Sequence, residues 1–75
     1  MKTMQGVVTD KHGNSILYEY LISVKAIKDY LHTDDDRVVN DFVEKEYIWD
    51  DTNNIVDLCM KKDYDYEIIR EEFLD

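Results

Sequence analysis

The chain has 75 residues, with eighteen Asp and Glu against nine Lys and Arg and a formal charge of −9 at pH 7. A chain of this length makes one domain, residues 1–75, with a single small core. Its charge disfavours nucleic acid and anionic lipid as partners and favours basic proteins.

The composition narrows the class further. With 44% hydrophobic residues, no proline and only Gly6 and Gly13, the chain should be mostly regular structure with short loops rather than disordered. Cys59 is the sole cysteine, so no intrachain disulfide forms, which fits a reducing cytoplasm. The first residues, Met-Lys-Thr-Met-Gln, lack the apolar run of a secretion signal. Nothing approaches the roughly 18 consecutive apolar residues of a membrane span. The expectation is a cytoplasmic protein.

In chain order, Met4 to Thr9 reads as a short strand and Asp10-Lys11-His12-Gly13-Asn14 as a turn, since Gly and Asn accept positive φ and Asp bonds its own backbone. Ser15 to Ile22 is rich in aromatic and branched residues, with Ile16, Tyr18 and Tyr20 on one face. These two runs predict a β-hairpin. A lone hairpin is marginal in water, so something must cover its apolar side.

Ser23 suits an N-cap. Val24, Ile27, Tyr30 and Leu31 then lie on one helical face, and His32-Thr33 closes that helix. Thr33 or Asp34 can cap the next, whose inner stripe is Val38, Val39, Phe42 and Val43. Asp34, Asp35 and Asp36 would sit against its positive N-terminal dipole. Asp41 and Glu44 fall with Asp34 on the side away from Phe42, where Arg37 and Lys45 neutralise them in part. Glu46 would enter the apolar stripe, which ends the helix near Lys45.

Residues 46–60 read two ways. Aromatic and branched content favours a second short hairpin turning at Asp51-Thr52-Asn53-Asn54. The other reading is a short helix capped by Asn53 or Asn54, with Ile55, Leu58 and Cys59 inward. Asp63 or Asp65 then caps a final helix with Tyr66, Ile69 and Phe73 inward and Glu67 and Glu71 outward. The expected fold is therefore α+β: an N-terminal β-hairpin packed against two to three amphipathic helices. Tyr18, Tyr30, Phe42 and Phe73 are expected in the core.

The materials for catalysis are thin. His12 lies in a turn, His32 at a helix end, and Cys59 in an apolar run where a free cysteine usually serves as a small hydrophobe. No nucleophile–base set emerges, and the expectation is a non-enzyme without cofactor. Calcium loops fail on spacing: from Asp34 the fifth position is Val38, from Asp50 the sixth is Ile55 and the twelfth Lys61, and from Asp10 the twelfth is Leu21. No metal site is expected.

The acidic excess is the feature folding explains least. Residues 29–75 hold sixteen of the acidic residues and five of the basic ones, a balance of −11, while residues 1–28 carry +2. Like charges oppose compaction. The plain explanation is solubility. The sharper one is a surface that copies phosphate, because carboxylates on neighbouring helical turns stand roughly 5–6 Å apart and duplex DNA presents a comparable array.

The residues that would make this surface are Asp34, Asp35, Asp36, Asp41, Glu44, Asp50, Asp51, Asp63, Asp65, Glu67, Glu71 and Glu72. Trp49, Tyr64 and Tyr66 are candidate aromatic contacts, since Tyr and Trp concentrate at binding hot spots. A short, cysteine-poor chain with Asp34-Asp35-Asp36, Asp50-Asp51, Asp63-Tyr64-Asp65-Tyr66-Glu67 and Glu71-Glu72 resembles in type the small acidic proteins with which bacteriophages block host nucleic-acid-binding proteins. These include DNA mimics and some anti-CRISPR proteins. The resemblance is one of kind, without a shared motif. It implies an inhibitor that occupies the basic nucleic-acid site of a host protein, and a homodimer would lengthen its charge ribbon. The alternative is an adaptor or antitoxin-like module that binds through Trp49, Tyr47 and the C-terminal helix.

Overall fold

The computed structural model describes residues 1–74; Asp75, the last of the acidic residues counted above, lies outside the described residues. The elements run β1 (Lys2–Thr9), β2 (Ser15–Ile22), α1 (Val24–Leu31), α2 (Asp36–Val43), α3 (Trp49–Lys62) and β3 (Tyr66–Phe73). The fold is α+β. The three strands form one antiparallel sheet in the order β1-β2-β3, with the helices on one face. None of these helices is long and apolar enough to cross a membrane.

The N-terminal hairpin forms as the turn chemistry requires. Asp10 Oδ1 accepts from the His12 and Asn14 amides at 2.8 and 3.0 Å. Gly13 takes φ +83°, a left-handed conformation that costs glycine little. Ser23 caps α1, its hydroxyl accepting from the Lys25 amide at 3.2 Å. His32 closes that helix in the left-handed conformation, and the Thr33 amide reaches back to the Lys28 carbonyl.

The cap of α2 is Asp35 rather than Thr33 or Asp34. Its Oδ1 accepts from the Arg37 amide at 2.9 Å, while Thr33 Oγ1 accepts from the Asp35 amide at 3.1 Å. Both side chains are used, but the helix starts later because Asp35 is the residue held in extended conformation.

Residues 46–60 do not form a second hairpin. They give α3, which begins at Trp49, ahead of the expected Asn53 or Asn54 cap. The buried residues of α3 are Thr52, Ile55, Val56 and Cys59, spaced i, i+3, i+4 and i+7 along one helical face. Thr52 disguises that stripe in the sequence. It is fully buried, with its hydroxyl donating to the Ile48 carbonyl at 3.0 Å. Asp50 and Asp51 lie in the first turn and Lys61 and Lys62 in the last, each sign at the end the dipole favours.

The expected final helix is a strand. Asp63 stops α3 in the left-handed conformation, with φ 59°. Tyr66–Phe73 then returns along the edge of β2 that β1 leaves open. A helix here would bury a narrow stripe, whereas a strand gives β2 a second ladder and uses the β preference of Tyr66, Ile68, Ile69 and Phe73. The register slips between Glu19 and Tyr20, where Ile69 is the extra residue of a bulge.

The core lies between helices and sheet and comprises Met4, Tyr20, Ile22, Ala26, Ile27, Val39, Ile55, Val56 and Cys59. The α3 helix packs on β1 directly over Gly6, where Asn53 Nδ2 donates to the Val7 carbonyl at 3.0 Å. Because the helical layer is centred over β1, no helix packs extensively on β3 among the described residues. Every residue of β3 is exposed. Phe73, expected in the core, is 69% exposed for this reason.

Candidate acidic and aromatic surface

The expected acidic residues divide according to what each one touches. Asp36 Oδ1 lies 2.8 Å from Lys28 Nζ, which ties α2 to α1. Asp35 caps α2 and also lies 3.6 Å from Arg37 Nε. Glu72 Oε2 takes Arg70 Nη2 at 2.6 Å. Asp51 is half-buried and accepts from the Tyr30 hydroxyl at 2.7 Å. These four serve the fold or are compensated locally.

Asp34, Asp41, Glu44, Asp50, Asp63, Asp65, Glu67 and Glu71 are exposed. Among the described residues none of their carboxylates has a cation within the 4.0 Å that defines an ion pair. They occupy three places: Asp34, Asp41 and Glu44 on and before α2, Asp50 at the start of α3, and the others from the end of α3 through β3. Asp34 precedes α2 rather than riding on it, so it does not continue the helical face of Asp41 and Glu44.

One carboxylate outside that set has a clear structural role. Asp29 Oδ2 accepts from Lys62 Nζ at 2.9 Å and from the Tyr64 hydroxyl at 2.8 Å. Lys62 first and Tyr64 second hold the Asp29 carboxyl below the usual carboxylate range. The same bonds push the Lys62 ammonium and the Tyr64 phenol up. This triad joins the end of α3 to α1, and it ties the hydroxyl of Tyr64, one of the expected aromatic contacts, into the fold.

The other aromatic candidates remain accessible. Tyr47 is 78% exposed and stands edge-on to Trp49, with ring centroids 5.5 Å apart. Tyr47 adopts φ 61°, which turns the α2–α3 connection sharply. The two rings border a concavity of about 370 Å³ shared with Thr3, Gln5, Glu19 and Val43. Tyr66 is exposed on β3 and meets the Tyr20 ring edge-on at 6.4 Å.

Comparison with protein-family models, curated proteins and solved structures returns no match. The chain's own chemistry therefore carries the functional reading.

The sequence does not reveal the apolar part of this surface. Ile68, Ile69 and Phe73 are all exposed on β3. In the sheet Ile68 pairs with Tyr20 and Phe73 with Ile16, so both lie on the side that carries the core. Burial first, then the Tyr18 and Tyr66 phenols and last the exposed Asp57 of α3, push the Tyr20 phenol up. The result is an apolar strip with carboxylates along it. The near-alternation in Tyr66-Glu67-Ile68 was its signal, masked by the helical spacing of Tyr66, Ile69 and Phe73.

Proposed function

We propose that this protein is a non-enzymatic acidic binding protein that occupies the basic nucleic-acid-binding site of a host protein, in the manner of small phage-type inhibitors. The observation that supports this most directly is that eight of the twelve candidate carboxylates, Asp34, Asp41, Glu44, Asp50, Asp63, Asp65, Glu67 and Glu71, are exposed and have no cation within ion-pair distance among the described residues. Such charge is costly to a compact chain and useful to one that must enter a positive groove. The partner is a basic protein, and nucleic acid itself is repelled. The setting is the cytoplasm of a bacterial host.

A second reading has its own observation. Tyr47 and Trp49 present an exposed aromatic pair beside a concavity, which suits an adaptor or antitoxin-like module. Strand β3 takes the part assigned to a C-terminal helix in the sequence reading.

Substitution separates the two. With a basic DNA-binding protein captured from bacterial lysate, the double variant Asp41→Asn/Glu44→Gln should weaken binding several-fold while Trp49→Ala changes it little. The reverse ranking would favour the adaptor and defeat the mimic.

A further inference from the structure

β3 is an edge strand of the sheet. It is eight residues long, roughly 26 Å at the rise of an extended strand, and exposed throughout. β2 occupies one side of it, and among the described residues no strand occupies the other. The opposite sheet edge is partly engaged, since Asn53 bonds the Val7 carbonyl and the α2–α3 connection lies near Thr3 and Gln5. A long open edge bearing apolar side chains is a template for another strand.

We infer that the β3 edge takes up an extended segment of the partner by strand addition, an aliphatic segment that carries lysine or arginine on both of its faces. This inference rests on the proposed reading only in that the partner is basic. The charge pattern selects the occupant. Glu67 and Glu71 have no cation within ion-pair distance among the described residues, and the one arginine of the strand, Arg70, is engaged by Glu72 at 2.6 Å. Ile68 and Ile69 between those carboxylates and Phe73 beyond them, at 50%, 45% and 69% exposure, offer apolar contact.

Side chains on paired strands meet directly across the ladder. Ile68, Glu71 and Phe73 share the core side through their pairing with Tyr20, Tyr18 and Ile16, while Glu67, paired with Leu21, lies on the other. Aliphatic residues on the incoming strand would cover Ile68 and Phe73, and two basic residues three apart, one on each face, would meet Glu71 and Glu67. A second copy of this chain fits poorly. The two-fold register that keeps core-side residues together would set Glu67 opposite Glu72 and Ile68 opposite Glu71, between two molecules each carrying −9.

The test uses a blocked eight-residue valine peptide with two lysines three residues apart, one for each face. Its control has the same sequence with N-methyl groups on the amides of one edge, which keeps the charge and removes the ladder. Amide NMR shifts and hydrogen exchange are followed in the full-length protein. The inference expects shifts confined to Tyr66–Phe73 and β2, slowed exchange of the outward amides of β3, and at least about tenfold weaker binding of the methylated peptide. The variant Glu67→Lys/Glu71→Lys, at two exposed positions, should weaken the unmethylated peptide by about fivefold or more.

Equal binding of both peptides would overturn the inference, as would shifts centred on Asp41 and Glu44, or no binding. Concentration-dependent protection of β3 without peptide would overturn it in favour of self-association. The two readings fail separately. A captured basic protein that duplex DNA displaces but β3 variants leave bound would sink strand addition and leave the proposed function standing.

Discussion

The closest approach of helix to sheet is at Gly6, and replacing it with alanine probes the packing that fixes α3. A Cβ at this position would fall 2.4 Å from Asn53 Oδ1, 3.3 Å from Asn53 Cγ and 3.4 Å from Thr52 Cγ2. Thr52 cannot retreat, because it is fully buried and bonded to the Ile48 carbonyl. Asn53 can swing away only by releasing the Val7 carbonyl.

The lost bond costs about 1 kcal/mol, and overpacking typically costs about 1–3 kcal/mol. Against this, alanine gains about 0.5–1 kcal/mol over glycine in an extended segment. The net loss is about 1–3.5 kcal/mol. For a domain of this size that lowers Tm by roughly 5–25 °C, measurable by circular dichroism or Trp49 fluorescence. Asn53→Ala removes the obstructing atoms, so the double variant should be more stable than the sum of the single effects by about 1 kcal/mol or more. A Gly6→Ala protein as stable as the wild type, or strictly additive effects, would refute the packing argument.

Other expectations follow from the same contacts. Ile55→Ala should cost about 2–5 kcal/mol, a large share of the stability of so small a domain, and urea denaturation reads it. Because Lys62 and Tyr64 depress the Asp29 pKa, the unfolded chain takes up that proton first. The Asp29 contribution is therefore complete above the ordinary aspartate value of 3.8 and is lost as pH falls through the lower folded value. Asp29→Asn should flatten the acid limb of stability below about pH 4, and Asp36→Asn should do likewise through its loss of Lys28. Cys59 is buried and its thiol is pushed up, chiefly by that burial. A disulfide reagent should attack it at least about a hundredfold faster in denaturant than in the native state.

What the sequence revealed was local. The β1–β2 hairpin, the Gly13 turn, the Ser23 cap and the α1 face each depend on residues within a few positions of one another. The misread elements depended on distant partners. β3 is a strand because β2 has an edge to fill more than forty residues upstream, and its own spacing of Tyr66, Ile69 and Phe73 argued for a helix. The start of α3 was hidden because Thr52, a polar residue, holds a core position.

The candidate surface divided in the same way. Exposure of Asp41, Glu44 and Glu67 could be read from helical or near-alternating position. The neutralisation of Asp36 by Lys28 and the capture of Tyr64 by Asp29 could not, since both join separate elements. Phe73 was assigned to the core on hydrophobicity and helical spacing, and it is exposed because the helical layer is centred over β1, at the opposite edge of the sheet.

The central claim is that unpaired negative charge on this fold competes with nucleic acid for a basic protein. The direct measurement is the affinity for the captured DNA-binding partner between 50 and 200 mM salt, with and without duplex competitor. The account predicts a steep loss of affinity, tenfold or more, across a range in which the screening length falls from roughly 14 to 7 Å, and release of the partner by duplex. Affinity unchanged by salt, with duplex and this protein bound to the partner together, would contradict it.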